Sequence, residues 1–155
     1  VKYSIDTSAI LDGWVRYYPP DVFPSLWTRL EGLISEGRLV ATEEVLTELA
    51  KKSDEVHAWA KNQEKLFVPI DEPTQLSVAN ILSRFPRLVN SQRNRSMADP
   101  WVIALAQVNG YIVVTGENES GNLNRPKIPD VCKQLGIRPL TLLKLFRREN
   151  WKFFK

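Results

Sequence analysis

Four acidic side chains at well-separated points of the sequence could act together: Asp6, Glu48, Asp99 and Glu117. Carboxylates gathered from distant segments repel one another, and some are driven to higher pKa unless positive charge sits between them. A hard divalent cation relieves that repulsion. Mg²⁺ takes oxygen ligands, and it keeps several waters while held by one or two carboxylates and a substrate phosphate. Held that way, such a cation activates water, orients a phosphodiester and stabilises the departing oxygen. The chain offers one histidine, His57, and one cysteine, Cys132. That supply argues against a zinc centre and against metal-free hydrolysis by a histidine pair.

Each acid also suits a purely structural task. Asp6 follows a strand-like opening, residues 1–5, and is a good cap for the helix after it. Asp99-Pro100 pairs an N-cap type with a proline suited to the first helical position. Glu117, within Thr115-Gly116-Glu117-Asn118-Glu119, suits a polar loop, and Glu48 suits a solvated helix. Helix geometry separates Glu48 from its neighbours. At about 100° per residue, Glu48 falls about 60° from the core position Val45, whereas Glu44 falls about 100° away and Glu43 points outward. Of the three, Glu48 is best placed to reach into a cleft.

The elements that must position these acids alternate between strand and helix. Residues 1–5 predict a strand and 8–17 a helix, which Tyr18-Pro19-Pro20 stops because proline cannot continue it. Leu26, Leu30, Leu33 and Ile34 have helical spacing, with Gly37 as the terminating glycine. Residues 38–41 predict a second strand. Thr42 is placed to cap a helix with Val45, Leu46 and Leu49 as its core stripe. Helices follow at 54–65 and 74–85, with 66–69 between them as edge strand or connector. Residues 90–96 read as a loop, and 100–108 as a helix apolar nearly all round and therefore deep. Residues 111–115 are the most strand-like run, continuous and β-branched as in a parallel sheet. Beyond a polar loop at 119–125, short helices are predicted at 129–135 and 140–146. Strands separated by helices indicate an α/β fold with a mostly parallel sheet, in which ligands bind at the carboxyl ends of the strands.

Composition sets the outer limits. The 155 residues form one domain, 1–155, of globular composition, since 43% are hydrophobic and 25% charged. No apolar run approaches the roughly 20 residues that span a bilayer, and the first residues read as a strand rather than a signal peptide. A single cysteine allows no internal disulfide, and a reducing cytoplasm is the expected compartment. The net charge of +3 is too small to imply nucleic-acid binding. Clusters count for more: Arg84, Arg87, Arg93 and Arg95 in mid-chain, and Arg147, Arg148, Lys152 and Lys155 at the end. As groups they suit phosphate neutralisation; individually they suit solvated surface.

Ile5-Asp6-Thr7-Ser8, Val45-Leu46-Thr47-Glu48-Leu49, the run from Ala98-Asp99-Pro100-Trp101 to Ala106, and Val113-Val114-Thr115-Gly116-Glu117 stand in the order and spacing of a PIN domain. The resemblance spans residues 1 to about 140. It is strongest to a prokaryotic branch with an extended aromatic segment, here Trp14-Val15-Arg16-Tyr17-Tyr18-Pro19-Pro20-Asp21. It implies a three-layer α/β/α fold, Mg²⁺- or Mn²⁺-dependent hydrolysis of RNA to 5′-phosphate and 3′-hydroxyl ends, and often a toxin role with a cognate antitoxin. Asp6, Glu48 and Asp99 match its three principal acids. Glu117 takes a fourth place that is usually aspartate, with Glu119 and Asn118 as alternatives. Thr7 or Ser8, and Thr115, resemble hydroxyl residues that orient the ligands or their waters. Arg93 and Arg95, near Asp99 in sequence, are candidate contacts to the RNA backbone.

Other readings fare unequally. An aspartate-based phosphatase needs a second acid two positions after the first, where Ser8 stands. Neither glycine-rich phosphate-loop pattern is present. The serious rival is a PIN-like scaffold that binds RNA or a protein without cutting. The aromatic segment 147–155 offers such a scaffold a docking surface, for this chain, a second copy in a homodimer or an antitoxin.

Overall fold

The computed structural model describes residues 1–89 and 97–153. Arg93 and Arg95, and the loop expected at 90–96, lie outside the described residues. A five-stranded sheet in the order β3-β2-β1-β4-β5 forms the middle layer, and every neighbouring pair is parallel. The strands are short: β1 Tyr3–Ile5, β2 Leu39–Thr42, β3 Phe67–Val68, β4 Ile112–Val114 and β5 Pro139–Leu140. Covered on both faces, β1 and β2 are buried at every residue, as parallel strands must be.

Helices α1 Thr7–Leu11, α2 Pro24–Ser35, α3 Glu43–Lys52, α4 Asp54–Lys61, α5 Glu72–Arg84, α6 Asp99–Asn109, α7 Ile128–Leu135 and α8 Leu142–Arg148 complete the three-layer α/β/α arrangement. On one face α6 crosses β1, β2 and β4 and packs against α5 and α7. Alternation along β1 assigns its side chains. Ser4 turns to α6 and donates to the Val102 carbonyl at 2.9 Å. Ile5 turns to the opposite layer, where it lines a small apolar cavity with Trp27, Leu30 and Ile34 of α2 and Leu142 of α8. The helix read as apolar all round is the deep one, with Val102 to Ala106 buried.

Several boundaries differ from the sequence reading for local reasons. The helix expected over 8–17 is α1 followed directly by a π-helical segment, Asp12–Tyr17. Residues 66–69 resolve to an edge strand on β2. Leu140, expected in a helix, ends β5, because its neighbour Val114 recruits it to the sheet edge. Thr42 sits at the N-cap of α3, but its hydroxyl makes no cap bond and is buried with no hydrogen-bond partner among the described residues. Asp99 is the first residue of α6 and Ala98 its N-cap, so Pro100 stands second. That place also suits proline, since first-turn N–H groups have no partner in the helix.

Trp151 and Phe153 fold back on the chain itself. Trp151 stacks on Phe146 (5.5 Å, 21°), and the Arg29 guanidinium lies over the Trp151 and Phe153 rings. Glu149 accepts from the Tyr3 hydroxyl and pairs with Arg38 at 2.6 Å, joining this segment to β1.

Candidate active site

The strand order reverses direction between β1 and β4, since the chain builds outward from β1 to β2 and β3 and later to β4 and β5 on the other side. Crevices in open parallel sheets form at such a switch point, beyond the strands' carboxyl ends. Asp6 leaves β1 there, and Thr115, Gly116 and Glu117 leave β4 beside it. The Asp6 amide donates to the Val114 carbonyl at 2.8 Å and so continues the ladder one residue past the strand.

Asp6 occupies the N-cap position of α1 without making a side-chain cap. Its Oδ2 accepts instead from Ser8 Oγ (2.5 Å) and Thr115 Oγ1 (3.0 Å). Ser8 Oγ in turn accepts from the Gly116 N–H, and Thr115 Oγ1 from the Glu117 N–H. With backbone donors already on their oxygens, each hydroxyl has its single proton to give to Asp6. The Asp6 carboxyl is pushed up to about 7, chiefly by burial and also by the nearby charges of Glu117 and Glu48, against the Ser8 and Thr115 hydrogen bonds, which pull it down.

Glu48 lies on α3 and is buried, while Glu44 is half-buried and Glu43 exposed, the order that helix geometry predicts. Its Oε1 accepts from Thr7 Oγ1 at 2.5 Å. The two adjacent hydroxyls thus divide their tasks, Thr7 holding Glu48 and Ser8 holding Asp6. Glu117 is half-buried, and its Oε1 accepts from the Ile128 N–H at the start of α7 (3.0 Å). The next turn of that loop is tied by Asp130, which accepts from the amides of Ser120, Gly121 and Lys127.

Asp6, Glu48, Asp99 and Glu117 all line one cleft of about 650 Å³, together with Thr7 and Ser8. Glu119 does not line it, and Asn118 faces a neighbouring cavity. Asp12, Arg16 and Lys52 also line the cleft, and the sequence reading passed over them. The available signal was spacing: Asp12 and Arg16 are four apart and follow Ser8 by four and eight, on the helix that leaves Asp6. Gly116 makes room for Asp12, because a Cβ there would stand 2.3 Å from Asp12 Oδ2.

Among the described residues, no three acidic, histidine or cysteine side chains converge tightly enough to form a ready coordination shell. The donor set nonetheless suits a hard cation. It is all oxygen, and the cationic side chains lining the cleft, Arg16 and Lys52, are exposed rather than set among the acids. A 650 Å³ cleft leaves room for the waters that Mg²⁺ retains. Cys132 contributes nothing to such a shell. It is fully buried and does not line the cleft, and burial, with the charges of Asp6 and Glu117 nearby, pushes its thiol up to about 12.

The three-layer α/β/α fold with its all-parallel sheet is PIN-like. The crystal structure of FitAcB from Neisseria gonorrhoeae is similar at a TM-score of 0.53 and 15% identity, over 89% of this chain and 96% of that one. A family model described as "Domain of unknown function (DUF4411)" matches residues 3–153, and the chain belongs to that family. No curated protein matches it significantly. Among the described residues, no helix is long and apolar enough to cross a membrane.

Proposed function

We propose that the protein is a Mg²⁺- or Mn²⁺-dependent endoribonuclease, acting as the toxin of a toxin–antitoxin pair. One observation carries the reading. A buried carboxylate at the switch point of the sheet, Asp6, is oriented by two hydroxyls toward a cleft that Glu48, Asp99 and Glu117 also line. The PIN-like fold supports the same class of chemistry.

Asp6 and Asp99 would chiefly hold the metal, with Glu48 and Glu117 completing the shell directly or through water. When bound, the metal would supply an activated water and charge stabilisation for in-line attack on the phosphodiester. The protein's own work is orientation. Ser8 and Thr115 fix one oxygen of Asp6, and Asp6 Oδ1 accepts no hydrogen bond among the described residues. Thr7 fixes one oxygen of Glu48, and the α7 amide fixes one oxygen of Glu117. Each of these three acids keeps its second oxygen for the cleft. Arg16 and Lys52 at the cleft wall are further candidate contacts to RNA phosphates, being exposed and without an ion pair among the described residues. An antitoxin protein is the partner this reading implies, and the cytoplasm the compartment.

A second reading, a scaffold that binds RNA or a protein without cutting, draws on the absence of a tight three-acid cluster among the described residues. Incubating the purified protein with defined RNAs in Mg²⁺, Mn²⁺ or EDTA separates the two. The nuclease reading expects cleavage with either metal and none in EDTA; RNA bound but intact under every condition would favour the scaffold.

A further inference from the structure

A second cavity, of about 270 Å³, opens beside the acidic cleft and is lined by Asp12, Tyr17, Gly116, Asn118, Thr141 and Leu143 among others. Both cavities share the π-helical segment as a wall: Asp12, Val15 and Arg16 face the cleft, while Asp12 and Tyr17 face the smaller space. The i→i+5 bonding of a π-helix brings Asp12 and Tyr17 onto adjoining turns. Thr115 also lines the smaller cavity, and its hydroxyl is bonded to Asp6. The space therefore lies one residue's thickness from the acids.

We propose that this cavity receives a nucleobase of single-stranded RNA next to the phosphate held at the acids, and that it selects guanine. The inference rests on the ribonuclease reading for the identity of the polymer. The size suits one planar ring system rather than a longer stretch of chain. Tyr17 is 60% exposed, leaving an aromatic ring available for stacking, the sequence-tolerant part of single-strand recognition. Selection falls to Asp12. Its carboxylate has no hydrogen-bond or ion-pair partner among the described residues, and it is seated at the wall by the missing side chain of Gly116. A carboxylate accepts two parallel donors in one plane. Guanine presents such a pair, N1–H beside its exocyclic amine, whereas adenine and cytosine present one amino group and uracil one N–H. A paired base hides this edge, so the subsite requires an unpaired strand.

The test uses short single-stranded oligouridylates, each with one internal G, A, C or U, titrated in EDTA against the wild type, Tyr17→Ala and Asp12→Asn, with bound fraction read by fluorescence anisotropy. Cleavage of the same RNAs in Mn²⁺ is followed separately. The wild type is expected to bind the guanine-containing RNA tightest. Tyr17→Ala should weaken all four about tenfold, and Asp12→Asn should abolish the preference for guanine. Equal affinities for all four RNAs, no binding, or an unchanged preference in Asp12→Asn with unchanged affinity in Tyr17→Ala would overturn the assignment. Guanine-selective, Tyr17-dependent binding without cleavage would leave the subsite standing while the ribonuclease reading fell.

Discussion

Thr7 Oγ1 donates to Glu48 Oε1 at 2.5 Å, tying the residue after Asp6 to an acid forty-one positions along the chain. It is the direct side-chain link between the β1 exit and α3. Replacing Thr7 with valine keeps the shape and removes the donor. Partners that orient metal ligands typically matter by 10–100-fold, so Thr7→Val should raise the Mn²⁺ concentration needed for half-maximal cleavage by about tenfold, with Thr7→Ser restoring it. A metal titration of the cleavage rate reads the outcome, and an unchanged midpoint would show that Glu48 needs no orienting hydroxyl.

Stability of the metal-free protein should carry the signature of Asp6. Its folded pKa, about 7, lies above the ordinary 3.8, so the folded state holds the proton more tightly than the unfolded chain does. The stability this adds is fully present below the unfolded pKa, declines as pH rises, and is lost by about pH 7. Thermal midpoints of wild type and Asp6→Asn, followed by tryptophan fluorescence, should therefore diverge between pH 4 and 7, with the wild type falling relative to the variant. Mn²⁺ should raise the wild-type midpoint more at pH 8 than at pH 5, because protons and metal compete for the same carboxylate. Parallel curves for the two proteins would contradict the burial argument.

Gly116→Ala places a methyl 2.3 Å from Asp12 Oδ2 and 3.1 Å from the Ser8 carbonyl. Overpacking of this kind costs about 1–3 kcal/mol. Adding Asp12→Ala removes the nearer obstacle, and the double variant should recover most of that loss. A double-mutant cycle by chemical denaturation measures the coupling; simple additivity would mean the clash is relieved by a side-chain rotation alone.

How far these relationships could be read beforehand varies by residue. The sheet, the deep helix α6 and the burial order of Glu43, Glu44 and Glu48 follow from periodicity, which is local information. The alignment of Asp6 with Glu117 follows from strands ending at one edge, and the alternation of strand and helix already implied it. What stayed hidden depended on contacts without a pattern. Thr7 and Ser8 are adjacent hydroxyls, and only the packed positions of α3 and β4 decide that one serves Glu48 and the other Asp6. Asp12 looked like an ordinary helical residue, because the widening of the helix into a π segment leaves no compositional mark. Glu117 is legible as the fourth acid beyond β4, but its bond to the α7 amide requires knowing where the loop returns.

Arg16 and Lys52 should contribute to RNA binding through phosphate charge alone. Substituting both with alanine is expected to weaken binding to every single-stranded sequence alike. It should also flatten the dependence of log affinity on log salt by about 0.7 for each phosphate no longer neutralised. Sequence-dependent weakening, or an unchanged slope, would remove them from the backbone path.

The most direct measurement is cleavage of a defined single-stranded RNA in Mn²⁺ by wild type, Asp6→Asn and Asp99→Asn, each first checked for an intact fold by its thermal transition. Metal-dependent cleavage is expected of the wild type, abolished by EDTA. Each variant should cut at least about a hundredfold more slowly, since both substitutions remove a proposed ligand. Cleavage persisting at the wild-type rate in both variants would contradict the assignment of Asp6 and Asp99 to the metal.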